Sequence, residues 1–297
     1  MDATGRGGVQ AARRLDHEQA AELERVYDSE LRFRTVTGPA KWLVSIGLVA
    51  LSVFHYYTAG FGIVTEHWHK AIHLAAVLSL IYLTFPGPSR LFGPRLYGVP
   101  LLDWLLAPTI IAASLYLPMV FDELTFRIGM PNPTDVTMGT VMIVLTLEAA
   151  RRAMGPVLPG IVIVFMLYAL FGHRIDGVLS HPGADWSGLV NHVYLTQEGI
   201  FGIPAKVVST FVFHFVLFGV IATRMGLGQF FIDLASVIAG RYPGGPAKVA
   251  VVSSAMFGSI SGSSIANTVT TGSLTIPAMK KIGYRAHFAG GVEAAAS

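Results

Sequence analysis

The sequence contains no cysteine, and charged residues make up only 13% of its 297 residues. The lack of cysteine excludes disulfides, thiolate nucleophiles and zinc–thiolate sites. The low charge content is half of what a soluble domain usually carries, about 25%. Hydrophobic residues make up 53% of the chain, and the mean hydropathy is +0.57. Much of this apolar surface must face lipid, which predicts an integral membrane protein.

Six apolar segments approach or reach the length at which a helix, rising about 1.5 Å per residue, crosses the hydrocarbon layer. We predict spans over residues 42–62, 71–85, 101–121, 136–151, 157–172 and 207–223. A shorter amphipathic helix at the inner membrane surface is predicted over 227–239, where polar residues recur at near-helical spacing. The predicted fold class is therefore an all-α polytopic membrane protein with about six transmembrane helices.

The basic residues indicate the orientation of these spans. Arg90 and Arg95 lie between the second and third spans, and Arg151 and Arg152 follow the fourth. Basic loops face the cytoplasm, so these loops and the arginine-containing segment 1–40 are predicted to be cytoplasmic. No apolar run follows the first basic residues, so we do not expect a cleavable signal peptide. The basic residues lie at helix ends instead of in one patch, so no nucleic-acid partner is predicted.

A polar stretch rich in turn-forming residues separates two modules. The motifs HPG at 181–183 and EGIFG at 198–202 interrupt the apolar pattern, which is typical of a loop with a short interfacial helix. We predict four parts, with bounds at 1–40 for a cytoplasmic segment, 41–175 for a transmembrane module, 176–204 for an outer-face linker and interfacial helix, and 205–297 for a second membrane module.

The second module contains an interrupted apolar segment over about 244–277. Each half is about 12 to 15 residues long, too short to span alone, and the middle is crowded with hydroxyl groups and glycines. This pattern predicts a re-entrant helical hairpin, a feature that marks binding sites in transporters. Hydroxyls, the Asn267 carbonyl and freed backbone carbonyls supply the oxygen ligands that hard cations prefer. The tip, residues 261–267, is therefore a candidate cation site, and the amide ends of its half-helices can attract a carboxylate.

Other interpretations of the hairpin stay open at this point. Gly258 and Gly262 form a small-xxx-small pair, which helix packing alone would explain; the chain would then be a non-transporting scaffold or regulatory fragment. A serine hydrolase is not supported, because Ile260 stands where a nucleophile elbow requires serine. An intramembrane enzyme lacks a paired base, a metal-ligand set and a nucleotide loop, so we predict neither enzymatic activity nor an organic cofactor.

Three histidines, His67, His69 and His73, are close together in sequence. Glu66 is the only carboxylate beside them, and we interpret them as a cluster at the outer interface instead of a metal site.

Three ionisable residues near span ends need separate interpretation. Glu148 and Arg152 are spaced i, i+4 and are predicted to pair near the inner end of the fourth span. A proton-relay role for Glu148 is the lesser alternative. Asp103, beside Trp104, is interpreted as a snorkelling carboxylate with no role in transport.

Four long motifs stand out in the second module: GGPAKVAV at 244–251, GSISGSSIAN at 258–267, TGSLTIP at 271–277 and AGGVEAAAS at 289–297. Together they resemble the large permease subunit of tripartite ATP-independent periplasmic (TRAP) transporters. The EGIFG motif and the preceding module look like fused permeases in which a small four-helix subunit joins the large one, often in TAXI-type systems. By this resemblance the first module is small-permease-like with a fusion helix, and the second is the start of the large-permease transport domain.

The resemblance implies a bacterial inner-membrane, elevator-type secondary transporter with inverted repeats. Such a transporter imports small organic anions with a sodium gradient and takes them from a periplasmic binding protein. The resemblance places eight residues in the sodium and substrate region: Ser261, Gly262, Ser263, Ser264, Asn267, Thr268, Thr271 and Thr275. Sodium ligands are expected among Ser261, Ser263, Ser264 and Asn267. The family pattern continues through a second, inverted half, so we expect the chain to be truncated at Ser297.

Overall fold

The computed structural model describes residues 33–62, 64–87, 94–124, 126–127, 129–261 and 264–297. The chain divides into two compact units, one ending at His214 and one running from Phe215 to Ser297. The first unit contains helices α1 (Gly38–Phe61), α2 (Glu66–Thr84), α3 (Leu101–Leu124), α4 (Pro133–Met154), α5 (Val157–Phe171), α6 (Trp186–Val190) and α7 (Ile203–Val207). It also contains a 3₁₀ turn at Gly172–Arg174, π turns at Asn191–Leu195 and Val208–Val212, and strands β1 (Arg95–Leu96) and β2 (Val99–Pro100).

The remaining helices are α8 (Phe213–Arg224), which continues directly from α7 and the second π turn, α9 (Leu227–Ala239), α10 (Gly245–Ser261), α11 (Ser264–Lys281) and α12 (Ala286–Ala296). Every predicted span coincides with a helix. Among the described residues, four helical segments are long and apolar enough to cross a membrane: Gly38–Phe61, Leu101–Leu124, Val157–Arg174 and Ile203–Arg224. The chain is thus an all-α, polytopic membrane protein. The six-span count, which also requires α2 and α4, stays a prediction.

The core of the first unit is built around α2, α3 and α4. Tyr82, Ile110 and Met142 are fully buried there. The start of α4 is fixed by a capping box, in which the Asn132 side chain accepts from the backbone N–H of Asp135 at 2.7 Å and the Asp135 carboxylate accepts from the N–H of Asn132 at 2.9 Å. Such reciprocal caps satisfy amides that a helix start leaves unpaired.

The antiparallel pair β1–β2 joins through a tight turn at Tyr97 and Gly98, both with positive φ. At Gly98 an added Cβ would lie 2.4 Å from the carbonyl oxygen of Thr35, so only glycine lets the turn approach the chain there. The backbone N–H of Thr37 donates to the carbonyl of Tyr97 at 3.1 Å. This turn therefore holds the segment before α1 beside the start of α3.

A buried charge network forms at that junction. Asp103 is fully buried; one of its carboxylate oxygens accepts a hydrogen bond from Arg34 at 2.8 Å, and the other forms an ion pair with Arg152 at 2.8 Å. The interpretation of Asp103 as a snorkelling carboxylate is therefore wrong, because two arginines compensate its charge inside the unit. The predicted Glu148–Arg152 pair is confirmed at 2.8 Å, and the Arg152 guanidinium also lies 4.6 Å from the centre of the Tyr82 ring.

In the second unit, α9 has the bounds predicted for the amphipathic helix, and α10 and α11 form the two arms of a hairpin. The arms contain 17 and 18 residues, longer than predicted, because helical backbone continues into the hydroxyl-rich middle. Residues 262 and 263, which connect them, lie outside the described residues. Since arms of this length approach the thickness of the hydrocarbon layer, their length no longer argues for re-entry, and the re-entrant placement stays a prediction. Helix α12 packs on both arms, and Ala250, Met279 and Ala289 form their shared core.

Candidate functional site

The hairpin residues proposed from sequence fall into three groups. Ser261 is the last residue of α10, and Gly262 and Ser263 lie outside the described residues, so their predicted roles stay predictions. Ser264 is exposed at the start of α11, and Thr268 on the next turn donates its hydroxyl to the Ser264 carbonyl at 2.9 Å. The remaining three, Asn267, Thr271 and Thr275, are all buried along one face of α11, as their i, i+4 spacing requires.

Asn267 connects the two arms of the hairpin. Its amide nitrogen donates to both the carbonyl and the hydroxyl oxygen of Ser254 on α10, each at 3.0 Å. A Cβ at Gly258 would lie 2.9 Å from this nitrogen, so the glycine makes room for the amide. The other end of the side chain, Oδ1, has no hydrogen-bond partner among the described residues, although Asn267 is only 1% exposed. A buried amide oxygen without a partner is costly, and an ion or a water molecule bound beside it would offset that cost.

Thr271 and Thr275 face α12, where they meet Glu293. The Thr271 hydroxyl contacts one oxygen of the Glu293 carboxylate and the Thr275 hydroxyl contacts the other. Glu293 is fully buried. A Cβ at Gly272 would lie 3.0 Å from its Cγ, so glycine between the two threonines lets the side chain approach α11.

Two hydrogen-bonded routes connect Glu293 with Asn267. Along the first, the Thr271 hydroxyl also contacts the backbone carbonyl of Asn267 at 2.8 Å. Along the second, the Ser297 hydroxyl donates to the backbone carbonyl of Glu293 at 3.0 Å and lies 3.1 Å from the hydroxyl of Ser254, which accepts from Asn267. We call these five residues, Asn267, Ser254, Thr271, Glu293 and Ser297, the polar ring. It ties α10, α11 and α12 together.

A cavity of about 400 Å³ adjoins the polar ring. Its lining comprises Ser254, Ala255, Gly258, Ser264, Asn267, Ala296 and Ser297. Of the predicted sodium ligands, Ser264 and Asn267 therefore lie at one cavity. Hydroxyl and amide oxygens are ligands that a hard cation accepts, and Oδ1 of Asn267 has no hydrogen-bond partner among the described residues. If a sodium ion binds in this part of the hairpin, these are the residues that could hold it.

Sequence reasoning missed three members of the polar ring, Ser254, Glu293 and Ser297. Glu293 carried the clearest signal, because it is the one charged residue in the AGGVEAAAS motif. An ionisable residue within an apolar helix of a membrane protein is a functional-site candidate. Ser254 and Ser297 carried no such signal, since serine is common in packed membrane helices.

The three neighbouring histidines do not form a cluster of their own. His67 stacks on Phe121 with ring centres 3.7 Å apart, whereas His69 and His73 are 1% and 3% exposed. The interpretation of all three as an interfacial cluster is wrong for the last two, because His69 and His73, four residues apart, share the face of α2 that is buried in the unit.

His69 and His73 instead surround His55 of α1, together with His214 of α8. The Nε2 atom of His55 lies 2.9 Å from Nδ1 of His73, and His214 contacts the carbonyl of His55 at 2.7 Å. Nδ1 of His55 and Nδ1 of His69 have no partner among the described residues. Within the described part of the chain, no group of three or more histidine or acidic side chains is arranged to hold a metal ion.

Comparison with known proteins agrees with the hairpin motifs. Residues 141–297 match the family described as the tripartite ATP-independent periplasmic transporter, DctM component. The match begins within α4 and includes the whole polar ring. No solved structure matches the chain.

Three curated relatives illustrate the similarity. The isethionate TRAP transporter permease protein DctMQ of Oleidesulfovibrio alaskensis is 27% identical over 222 residues, 72% of this chain and 33% of that protein. The C4-dicarboxylate TRAP transporter large permease protein DctM of Vibrio cholerae is 29% identical over 138 residues, 44% of this chain and 30% of that protein. Its counterpart in Rhodobacter capsulatus is 36% identical over 78 residues, 26% of this chain and 18% of that protein.

The chain thus spans a third or less of the length of the curated relatives that it matches. The family match nevertheless covers more than half of this chain, and the apolar helices agree with a multi-pass inner-membrane protein. The chain belongs to the DctM component family of tripartite ATP-independent periplasmic transporters.

Proposed function

We propose that this chain is the first part of a permease that imports small organic anions with sodium as the coupling ion. The relatives named above are permeases for C4-dicarboxylates and for isethionate, which share a small size and an anionic head group. In this proposal a periplasmic binding protein, TAXI-type or similar, delivers the substrate. The amino end is cytoplasmic, and no organic cofactor takes part.

The observation that carries the proposal is the buried carboxamide of Asn267. Its nitrogen donates two hydrogen bonds to Ser254, while its oxygen has no partner among the described residues and adjoins a cavity lined by further hydroxyls. If the hairpin served helix packing alone, an apolar residue at 267 would avoid the cost of an unpaired buried oxygen, about 1–3 kcal/mol. A bound sodium ion, when present, supplies positive charge at this oxygen and offsets that cost.

The finer architecture of the proposal follows the family pattern. We propose that the first unit is a small-permease-like module fused to the large permease, for which the 72% coverage by the DctMQ relative gives support. A second, inverted half of the transport domain is proposed to follow the present sequence and to complete the substrate site. The elevator motion is proposed on the same basis.

The direct test is uptake by the complete permease in proteoliposomes with its binding protein. Radiolabelled succinate and isethionate serve as probes, under an inward gradient of either sodium or potassium at equal ionic strength. We expect uptake of at least one anion only with sodium and only with the binding protein. Equal uptake under both gradients would refute sodium coupling, and no uptake of any organic anion would favour the scaffold alternative.

A matched pair of variants tests the site. Asn267→Ala removes the oxygen that has no partner among the described residues. Ser259→Ala removes an exposed hydroxyl on the same hairpin, which donates to the Met256 carbonyl of its own helix at 2.7 Å. Sodium at ten times its dissociation constant should stabilise the wild-type permease in detergent by about 1.4 kcal/mol. We expect that stabilisation to be lost in Asn267→Ala and retained in Ser259→Ala. If both variants respond to sodium as the wild type does, Asn267 is a packing residue.

A further inference from the structure

Glu293 is a buried acid without a basic partner among the described residues. Its carboxylate is in contact with two threonine hydroxyls, and the ion pairs of the described chain do not include it. The basic residues of the second unit nearest in sequence, Lys280, Lys281, Arg285 and His287, are all exposed. Neutral hydroxyls donate hydrogen bonds to a carboxylate but leave its charge uncompensated.

An uncompensated buried charge is so unfavourable that buried acids are normally paired with a base or with a cation. The two threonines and Gly272 pack closely around this side chain, since Gly272 leaves just enough space for its Cγ. This packing holds the carboxylate in one place, fully removed from solvent. A fixed negative charge at low dielectric acts strongly on other charges nearby.

The polar ring places this charge next to the candidate cation site. Only the Thr271 hydroxyl separates the Glu293 carboxylate from the backbone carbonyl of Asn267. Thr271 thus holds the acid against the helical turn of Asn267, whose side-chain oxygen has no partner among the described residues. A cation at Asn267 would be attracted by Glu293, and an anion at the same cavity would be repelled until a cation is present.

We infer that Glu293 is the coupling charge of this transporter. Its carboxylate raises the affinity of the hairpin for the coupling cation and prevents binding of the anionic substrate before that cation. This inference rests on the proposed function, because it assigns a residue to the cation dependence of the same site. It adds Glu293, which lies on α12 outside the hairpin, to the groups that make the site dependent on the cation.

The test measures how the permease responds to sodium in the absence of any substrate. The melting temperature of the complete permease in detergent is followed as sodium replaces choline at constant ionic strength. Glu293→Gln removes the charge while keeping an oxygen that accepts from one threonine and an amide that donates to the other. We expect the half-saturating sodium concentration to rise about tenfold, within the range typical of coupled sites, roughly 5- to 150-fold.

Thr275→Val is the matched control for structure. It removes one hydrogen bond to the same carboxylate but leaves the charge. It should therefore lower the melting temperature without changing the half-saturating sodium concentration by more than about twofold. If Glu293→Gln shows the wild-type sodium dependence, or if Thr275→Val shifts it as much as Glu293→Gln does, the inference is overturned.

Glu293→Asp gives an independent result should the glutamine variant not fold. It keeps the charge but withdraws it by one methylene, so we expect a half-saturating concentration within about threefold of wild type. A complete loss of the sodium response in Glu293→Asp would mean that side-chain fit matters and charge does not, which contradicts the inference. Failure of the proposed function looks different, because the wild type itself would then show no sodium-specific stabilisation and no sodium-driven uptake.

Discussion

Replacing Asp103 with asparagine tests the buried charge network of the first unit. Asparagine has the shape of aspartate but no charge, so the variant leaves Arg34 and Arg152 facing each other without the carboxylate between them. Their side chains are 9% and 0% exposed. Burial already lowers the pKa of the Arg34 guanidinium below its ordinary value, and the hydrogen bond and charge of Asp103 oppose that shift.

The magnitude follows from the burial of all three side chains. Removing one partner from a buried ion pair typically costs about 3–5 kcal/mol, because the other charge stays buried without compensation. Here Arg34 loses its carboxylate partner, while Arg152 keeps Glu148. For a unit of this size, each kcal/mol lowers the melting temperature by about 2–4 °C. Asp103→Asn should therefore melt about 6–20 °C below the wild type.

The measurement is thermal unfolding in detergent followed by intrinsic tryptophan fluorescence, with Trp104 adjacent to the mutated residue. Glu148→Gln is the control, because Glu148 pairs with the same Arg152 but is 25% exposed. A pair with one solvent-exposed partner contributes only about 1 kcal/mol or less. If Asp103→Asn lowered stability by less than about 1 kcal/mol, or by no more than Glu148→Gln, the network would not carry the stability assigned to it here.

Two further predictions concern the packing and the surface of the first unit. Gly139→Ala places a Cβ 2.3 Å from Cγ1 of Val190 and should lower the free energy of thermal unfolding by about 1–3 kcal/mol. Gly160→Ala is the control, because an added Cβ there meets nothing within 4 Å, and it should be neutral or stabilising. Equal effects of the two variants would contradict this packing. Lys206 pairs with Glu66 at 2.8 Å but is 46% exposed, so Lys206→Ala should cost less than about 1 kcal/mol, and that cost should vanish at 1 M salt. A larger or salt-independent loss would show that the pair is structurally important.

Features that depend on local sequence could be predicted, and the structure agrees with them. The helices follow from long apolar runs, and α9 has the predicted bounds because its polar residues repeat with the helical period. The Glu148–Arg152 pair forms because residues four apart on a helix are neighbours whatever the rest of the fold does. For the same reason Asn267, Thr271 and Thr275 share one face of α11.

Features that depend on distant contacts could not be predicted in this way. Arg34 meets Asp103 across 69 positions of sequence, and His55 meets His73 only because α1 and α2 pack together. Local rules assign an acid beside a tryptophan to the membrane interface, and that rule failed at Asp103. The face of α11 was predictable, but the partner on that face, Glu293, lies on another helix. The repeat of a single helix does not relate a face of α11 to a residue on α12, so it could not predict this contact.

The two buried acids, Asp103 and Glu293, show why burial alone does not distinguish a structural charge from a functional one. Both are 0% exposed, but Asp103 lies between two arginines, whereas Glu293 meets only hydroxyl groups among the described residues. Compensated charges fix a packing arrangement and need nothing further. An uncompensated charge held in place by close packing is favourable only if something positive binds beside it. The Thr271 hydroxyl connects Glu293 to the backbone carbonyl of Asn267, the residue whose side-chain oxygen has no partner among the described residues. The distribution of partners, and not the depth of burial, therefore indicates which acid stabilises the fold and which serves transport.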